Sequence, residues 1–518
     1  MDAESVKTLE FLGRPQQQVL PIYQRGYGWT NKECKTLFEN LVDVGTLDMK
    51  NTWYIGAIVC QDKSTGLATP VFVVIDGQQR LTTITITICA ITEFLRKHPN
   101  IKLEGVKNWD SLLKTYVVNS EEEGDKWYRL LLNNEDKEDL KELIYKVSAG
   151  EEIPRNNGES RIFTNYNFMR RNINKNNIVA LVDGLRKLEM IFIRLSEKDV
   201  AQNIFETLNS TGRSLQDVDK IRNYLLMGLE NQEAEEVYYH YWRPMERAFS
   251  NNLIKKNNHF EYFARYYLML KLNTTIRTYK IYEQFRKVSH NFENAKECVK
   301  ELKEYSQYYL NVFGGCEKDK ELCKFFSDLD NINMRAMSPL LLKCYKYYID
   351  KKISREKLIE IYSVVMSYYF RRSVCGWGSV SGLDALSVKL CKILDQESPY
   401  QKIVQTLCLF KGRNRFLSDK LVTEEVYDKN FMEYGKTHFI LTKLVNKNVP
   451  ALMDTSSLSV ECIYPEVNKE YLGKLGNLTL NGVELCMDIQ ADSPEEFIDK
   501  RTEKLTEMIL QVWEYPTL

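Results

Sequence analysis

Several features that often reveal the class of a protein are missing from this sequence. Its 71 Lys and Arg residues balance 71 Asp and Glu residues, so the formal net charge is zero. A uniformly basic nucleic-acid coat and an acidic solubilising tail are therefore excluded, and any anion-binding surface has to be a local patch. The acidic N-terminus has no apolar core, and no apolar run reaches the roughly 18–20 residues that would span a bilayer. We therefore expect a soluble protein.

The cysteines, prolines and glycines narrow the class further. The 12 cysteines are scattered and contain no C-x-x-C pair, which argues against a zinc ribbon and against a disulfide framework. This distribution of cysteines fits a protein of the reducing cytoplasm best. Pro (12) and Gly (24) are sparse while Tyr (31) and Phe (22) are plentiful, which favours long helices over a β-sandwich. The length of 518 residues is enough for two to four packed domains.

The first hundred residues show a mixed α/β pattern. Thr30 and Glu33 form a capping box, which predicts the start of a helix. Trp53–Cys60 and Val71–Ile75 are short, β-branched runs that predict two neighbouring buried strands. The segment after Arg80 alternates Thr and Ile with the period of a strand, but its length and its end favour a helix, and we predict a helix there.

The remaining chain is mainly helical in pattern. The pattern of residues 101–190 predicts a helical insertion. Between residues 119 and 142 there are nine acidic and four basic residues, a local charge of −5, which is typical of a solvated helix face. A strand is predicted over Met190–Leu195, followed by a helix that contains Phe205 and Leu208. Helix then follows helix from about 235 to 450 without a repeat. Short β-like segments and an amphipathic helix end the chain.

The sharpest local motif lies where the second predicted strand ends. The sequence there delivers Asp76, Gly77, Gln78, Gln79 and Arg80 onto the turn before a helix. Such a turn can present backbone N–H groups and a positive dipole end to an anion, with Gly77 allowing close approach and Arg80 supplying a planar fork for phosphate. Asp76 could hold a metal ion or orient an attacking water. The alternative is a structural turn in which Asp76 only accepts backbone N–H bonds.

A second motif, Pro21–Trp29, combines aromatic, amide and guanidinium groups with two glycines. It could form a stacking and hydrogen-bonding pocket for a base or nucleotide. The alternative is an aromatic clasp that packs the N-terminal segment onto the sheet. The candidate pocket residues are Tyr23, Gln24, Arg25, Tyr27 and Trp29.

A third motif is the polar turn within Phe205–Leu215. Asn209 and Gly212 bound this turn, and Asn209 or Arg213 could reach a ligand. An Asn/Gly helix stop followed by a new helix capped by Ser214 is an equally good interpretation.

One segment of the chain is strongly basic although the net charge of the whole chain is zero. Between 255 and 287 there are eight basic and two acidic residues, a local charge of +6, interleaved with five tyrosines. A surface that tracks phosphates would have this composition, and so would a helix pair with Tyr in the core and Lys outside. The candidate DNA contacts are Lys255, Lys256, Arg265, Lys271 and Arg277.

Taken together, the motifs YQRGYGW, VIDGQQRLTT and FETLNSTGRSLQDVDKIRNYLL resemble the N-terminal domain of GmrSD-type restriction endonucleases. Arg371–Gly376 resembles a helical segment of these proteins, and Leu475–Leu480 resembles their HNH-type nuclease domain. The resemblance implies an α+β, predominantly helical fold. Its parts would be a ParB/sulfiredoxin-like mixed sheet domain over 1–230 with the insertion 101–190, a helical domain over 231–425, and a degenerate HNH-like ββα domain over 426–518.

The resemblance also implies a function, which is defence against phage DNA by NTP hydrolysis coupled to recognition of foreign, sometimes modified, DNA. By position, the catalytic motif would be Asp76, Gln78, Gln79 and Arg80, and the nucleotide site would be Gly77, Tyr23, Gln24, Arg25, Tyr27, Trp29, Asn209 and Gly212. The cofactor would be an NTP of undetermined base, with Mg²⁺ possible. Partners would be DNA and a separate nuclease or a second DGQQR-family protein.

The C-terminal part departs from the family pattern. The nuclease motif needs a His as general base, but Cys462 stands at that position, followed by Pro465, and only Asn477 of the later motif survives. A cysteine cannot replace imidazole as a base for water while leaving a hard Mg²⁺ site intact. We therefore predict a nuclease domain that keeps its fold and has lost its activity. Two alternatives remain, a non-enzymatic nucleotide- or DNA-sensing switch and an active nuclease with unrecognised substitutes for the missing His.

Overall fold

A computed structural model describes most of the chain. The described residues are 1–47, 52–64, 69–132, 136–153, 160–196, 204, 216–251, 259–377, 382–447 and 453–517. They form two compact units, Met1–His240 and Tyr241–Leu518. Among these residues, no helix combines the length and the apolar character needed to cross a membrane.

The N-terminal unit contains a six-stranded mixed sheet and the helices around it. In chain order its elements are β1 (Asp2–Lys7), α1 (Thr8–Gly13), β2 (Gln17–Val19), α2 (Asn31–Thr46), β3 (Trp53–Asp62), β4 (Val71–Asp76), α3 (Gln78–Lys97), α4 (Ser111–Tyr116), β5 (Leu130–Leu131), α5 (Lys137–Ala149), α6 (Arg161–Asn172), α7 (Ile178–Lys187), β6 (Leu188–Leu195), α8 (Asp217–Met227) and α9 (Asn231–Val237). The strand order is β1-β6-β3-β4-β2-β5. The strands predicted at 53–60, 71–75 and 190–195 are therefore confirmed as β3, β4 and β6.

The sheet mixes both directions of pairing. β3 runs antiparallel to β4 but parallel to β6, and β2 is parallel to both β4 and β5. β1 closes one edge antiparallel to β6. Because β6 returns from residue 188 to lie between the first and third strands of the chain, the segment 101–187 folds back onto the same sheet.

Each face of the sheet is covered by apolar side chains. On one face Phe72 and Val74 belong to a large core shared with the surrounding helices, including those of the predicted insertion. On the other face Val59, Ile75 and Leu195 form a small cluster against which Ile204 and Met227 pack. β4, which delivers the Asp-Gly-Gln-Gln-Arg turn, therefore lies between two apolar layers.

Helix α3 explains the ambiguous Thr/Ile segment. The hydroxyls of Thr85, Thr87 and Thr92 donate to backbone carbonyls four residues earlier, at distances of 2.8–2.9 Å. Buried threonines are thus satisfied inside the helix, and the isoleucines between them are buried as well. A helix that is buried all round has no amphipathic period of 3.6, which is why the pattern resembled a strand. The predicted helix is confirmed, and it begins at Gln78.

Two further sequence predictions concern helix ends and charges. The capping box is confirmed, because Thr30 accepts from the Lys32 N–H and Glu33 accepts from the Thr30 N–H at the start of α2. In the acidic segment Asp125 forms ion pairs with Lys137 at 2.8 Å and with Lys141 at 2.9 Å. Part of that negative charge is therefore neutralised within the unit.

The described residues of the C-terminal unit are helical except for one short hairpin. Its elements are α10 (Arg243–Asn251), α11 (His259–Leu272), α12 (Ile281–Ser289), α13 (Ala295–Phe313), α14 (Lys320–Asn331), α15 (Ser338–Ile349), α16 (Arg355–Val374), α17 (Leu383–Ile393), α18 (Pro399–Cys408), α19 (Asp419–Asp428), α20 (Thr437–Val445), β7 (Val460–Cys462), α21 (Lys469–Leu472), β8 (Leu478–Leu480) and α22 (Pro494–Val512). The predicted run of helices, the short β segments and the final helix are confirmed. A split of this unit at residue 425 stays a prediction.

Candidate functional site

The centre of the candidate site is the turn between β4 and α3. Gly77 has a φ of +97°, and a Cβ there would lie 2.3 Å from Ile58 Cδ1 and 3.2 Å from the Ala57 carbonyl oxygen. Both the backbone conformation and the contact with β3 therefore require glycine. Asp76 ends the strand immediately before this turn, and Gln78 begins the helix immediately after it.

Asp76 and Arg80 face each other across the turn. The Asp76 Oδ2 and Arg80 Nη2 atoms are 3.7 Å apart, and the two side chains are 26% and 27% exposed. Arg80 also donates to the Ala57 carbonyl, and Gly56 makes room for it, since a Cβ at Gly56 would lie 2.9 Å from Arg80 Nη1. The guanidinium is thus fixed against the β3 backbone with one edge toward the carboxylate.

The environment of Asp76 perturbs its carboxyl group. Burial raises the pKa of Asp76, while the charges of Arg80 and Arg25 and the Gly77 N–H oppose that rise. Desolvation that is only partly compensated by positive charge favours the binding of a cation or a proton at this carboxylate. Such a perturbed group at a strand end is a candidate for a functional site.

Three glutamine side chains join this turn to the Pro21–Trp29 segment. Gln79 Oε1 accepts from the Gly28 N–H at 2.8 Å and the Trp29 N–H at 3.1 Å, and its Nε2 donates to the Gly26 carbonyl at 3.3 Å. In the same way, Gln78 donates to the Arg25 carbonyl at 3.2 Å. Gln24 donates in the opposite direction, to the Ile75 carbonyl at 2.8 Å. The first two sequence motifs are therefore one structure, in which the glutamine amides position the aromatic segment.

The aromatic side chains of that segment differ in exposure. Tyr23 and Tyr27 are buried, and burial raises the pKa of both phenols. The Tyr27 hydroxyl bonds to Thr83 Oγ1 at 2.7 Å and accepts from Asn165 Nδ2 at 3.0 Å. Trp29 is half-buried and packs on the edge of the core. The burial of the two tyrosines fits the alternative of an aromatic clasp that packs this segment onto the sheet, whereas Trp29 retains exposed ring surface. Ligand contact by any of the three stays a prediction.

Four residues that hold this segment had no local signal in the sequence. Asp136 accepts from the Tyr27 N–H at 2.6 Å, and Asn165 donates to the Trp29 carbonyl at 2.9 Å. Arg161 donates to the Gly28 carbonyl at 2.7 Å, and Arg222 donates to the Tyr23 carbonyl at 2.9 Å. Arg222 lies in the quoted FETLNSTGRSLQDVDKIRNYLL segment, so the resemblance pointed to its neighbourhood. Asp136 was counted only as part of an acidic, solvated face.

The third sequence motif, Phe205–Leu215, lies outside the described residues, and with it the helix predicted at Phe205 and Leu208 and the candidates Asn209 and Gly212. The helix after them, α8, carries Arg222, which pairs with Asp219 at 2.9 Å while it contacts the Tyr23 carbonyl. The helix that follows the third motif therefore contacts the Pro21–Trp29 segment.

The residues near Cys462 form a tightly bonded hairpin. Asn477 is fully buried, accepts from the Tyr464 N–H at 2.9 Å and donates to the Tyr464 and Leu472 carbonyls at 3.1 and 3.2 Å. Burial raises the pKa of the Cys462 thiol, whose sulfur lies 3.8 Å from the Leu472 carbonyl oxygen. Pro465 is exposed at the start of the connection between the two strands. Asn477 thus holds that connection in place.

The basic candidates for DNA contact are largely engaged within the unit. Arg265 pairs with Asp384, and Lys271 pairs with Glu301 at 3.0 Å. Arg277 donates to a tyrosine hydroxyl at 2.9 Å. Lys255 and Lys256 lie outside the described residues. Two of the interleaved tyrosines, Tyr266 and Tyr267, are buried in the core.

Metal binding by the protein alone has little support in the described part of the chain. No group of three or more His, Cys, Asp and Glu side chains there is arranged to hold a metal ion. Asp76 would supply one carboxylate, and Mg²⁺ at nucleotide sites takes one or two carboxylates together with phosphate oxygens and waters. A metal ion that arrives with a nucleotide at Asp76 stays a prediction.

The fold and the turn define an α+β domain whose mixed sheet presents an Asp-Gly-Gln-Gln-Arg turn at the start of a buried helix. Residues 8–226 match the family model described as GmrSD restriction endonuclease, N-terminal domain. The resemblance drawn from the N-terminal motifs is confirmed over these residues. A comparison with curated proteins found no match. The match ends before the C-terminal hairpin, so its assignment as HNH-like stays a prediction.

Proposed function

We propose that this protein is a defence protein that binds and hydrolyses a nucleoside triphosphate at the Asp76–Arg80 turn and couples this reaction to the recognition of foreign DNA. The observation that carries the proposal is the paired Asp76 and Arg80 at the N-terminus of α3, fixed to an aromatic segment by glutamine amides. The match of residues 8–226 to the N-terminal domain of restriction endonucleases supports DNA as the class of substrate.

The chemistry of the turn fits a triphosphate. Gly77 is the N-cap of α3, and no side-chain cap bonds to the first N–H groups of this 20-residue helix, whose N-terminus carries the positive end of the helix dipole. Arg80 adds a fixed positive charge beside them. Asp76 can share a Mg²⁺ ion with the phosphates or orient a water molecule toward them. Trp29, tied to Gln79, can contact the base.

The C-terminal hairpin supports the loss of nuclease activity. A thiol with a raised pKa is protonated near neutral pH, so Cys462 is a poor base for water and a poor ligand for Mg²⁺. The amide of Asn477 is fully occupied by backbone partners. DNA cleavage would then require a separate nuclease or a second DGQQR-family protein.

Phosphate release tests the proposal. The full chain is incubated with each common NTP and Mg²⁺, with and without DNA, and Asp76→Ala is compared with the wild type. Asp62→Ala is the matched control, because Asp62 also ends a strand of this sheet and pairs with an arginine, Arg194. We expect release by the wild type and the control and loss of at least about a hundredfold in Asp76→Ala.

Other results would favour the alternatives. NTP binding that needs Arg80 without Asp76-dependent phosphate release would show a nucleotide-sensing switch and not a hydrolase. Mg²⁺- or Mn²⁺-dependent nicking of DNA that disappears in Asn477→Ala would show that the chain is an active nuclease.

A further inference from the structure

A cavity of about 690 Å³ lies in the C-terminal unit, against α14, α20 and the end of α22. Its lining combines lysines with an apolar floor, namely Lys324, Lys443, Lys447, Phe439, Met453 and Val512. We propose that this cavity binds a nucleoside phosphate, with the phosphate at the lysines and the base and sugar against the floor. The site is separate from the Asp76–Arg80 turn and does not depend on NTP hydrolysis there.

One wall of the cavity is built by polar side chains from a single face of α20. His438 Nε2 lies 3.0 Å from the Thr455 carbonyl oxygen, and Thr442 Oγ1 lies 2.7 Å from Thr455 Oγ1. One turn further on, Asn446 accepts from the Met453 N–H at 2.8 Å and donates to the Met453 carbonyl at 3.2 Å. This spacing of four residues fastens the segment from Met453 onward along the helix. These bonds within the chain fix this wall of the cavity.

The charges around the cavity favour an anion. Of its two acidic residues, Asp328 is buried and paired with Lys443, and Asp454 accepts from the Ser456 N–H at 3.0 Å. No carboxylate among the described residues lies within ion-pair distance of Lys324. Partial burial and repulsion by Lys443 lower the pKa of Lys324, while Asp328 opposes this shift. An anion between the two ammonium groups would offset their repulsion.

A phosphate is the anion that fits this arrangement. Lysine binds phosphate as a flexible point charge, and the three lysines and two carboxylates of the lining give a net local charge of +1. Lys447 donates to Gln511, a neutral group, so its charge is also uncompensated at that contact. The third lysine therefore extends the positive edge of the cavity just beyond the end of α20.

The floor of the cavity fits a base. Phe439 is buried and anchored against the ring of Trp513, with 6.0 Å between the ring centroids. The Lys443 ammonium lies 5.9 Å from the Phe439 centroid, a separation that a single nucleotide spans between its phosphate and its base. The volume of the cavity falls within the roughly 300–1,000 Å³ of small-ligand sites. An aromatic ring can contact any of the bases, because every base has a π-face.

Equilibrium dialysis of the full chain tests the site. The protein is dialysed against an equimolar mixture of the four deoxynucleoside 5′-monophosphates, and in parallel against the four deoxynucleosides. All proteins carry Arg80→Ala, which removes the guanidinium of the N-terminal turn. Lys324→Gln and Lys447→Gln remove charges from the cavity, and Lys420→Gln on α19 is the control, since that side chain is 86% exposed. Lys443 is left intact because its removal would leave Asp328 buried without a partner.

We expect at least one monophosphate to bind, and to bind more tightly than its nucleoside. Its affinity should fall about tenfold in Lys324→Gln and should not change in Lys420→Gln. A single strand of about twelve nucleotides distinguishes the sources of the ligand. Tighter, Lys324-dependent binding of the strand identifies DNA, and tighter binding of the monophosphate identifies a free nucleotide. The proposal is overturned if neither the monophosphates nor the strand bind, or if Lys324→Gln binds them as tightly as the protein that carries Arg80→Ala alone. Either result leaves the hydrolysis proposal untouched.

Discussion

Replacement of Gln79 by alanine removes the side chain that ties the turn to the aromatic segment. Its Oε1 atom accepts from the backbone N–H groups of Gly28 and Trp29, at 2.8 and 3.1 Å. A net contribution of about 1 kcal/mol for each of these bonds gives about 2 kcal/mol of local stability. If opening of the segment controls exchange, the amide hydrogens of Gly28 and Trp29 should exchange about thirtyfold faster in Gln79→Ala.

Two matched variants sharpen this experiment, which measures native-state hydrogen exchange at single amides. Gln79→Glu keeps an acceptor oxygen for the Gly28 and Trp29 N–H groups and loses the amide donor to the Gly26 carbonyl, so it should retain most of the protection. Gln61→Ala removes a half-buried glutamine from β3 and should change neither amide. Wild-type exchange rates at Gly28 and Trp29 in Gln79→Ala would refute the positioning role of this side chain.

Two further predictions concern stability. Gly77→Ala should lower the free energy of unfolding by more than the roughly 1–2 kcal/mol that a left-handed alanine costs, because its Cβ would also meet Ile58. Gly124→Ala is the control in urea titrations: Gly124 has a φ of +60° and open space around it, so this variant measures the cost of the left-handed backbone alone. Burial lowers the pKa of Lys436 from its ordinary 10.5 to about 8, so the unfolded chain binds more protons between these values. The free energy of unfolding should therefore rise from pH 8 to pH 10.5 relative to Lys436→Met, and parallel pH profiles for the two proteins would contradict the burial of this ammonium.

Much of the N-terminal fold could be predicted because its signals are local. β3, β4 and β6 are apolar, β-branched runs, and the start of α2 depends on a capping box of four residues. The Asp76–Arg80 turn followed from a strand that ends in polar residues before a helix. In each case the residues that determine the structure are neighbours in the chain.

Strand β2 shows why other parts could not be predicted. It consists of Gln17, Gln18 and Val19 and lies between β4 and β5, although glutamine gives no hydrophobic signal. Gln17 is satisfied only by the Asp125 and Tyr128 carbonyls, at 2.6 and 2.9 Å, more than a hundred residues along the chain. The same holds for the contacts of Asp136, Asn165 and Arg222 with the aromatic segment, because tertiary partners at such separations leave no periodic pattern.

The tethering of the Pro21–Trp29 segment has a consequence for the smallest fragment that could carry the site. A fragment ending near residue 100 would contain both motifs in full, yet it would lack the side chains of Asp136, Asn165 and Arg222 that hold the segment. It would also lack β6, the central neighbour of β1 and β3. Deletion of the helical insertion or its exchange between relatives would therefore alter the geometry around Trp29. Residues 1–240 form the natural unit for dissection, and any transplant of the motif has to carry them together.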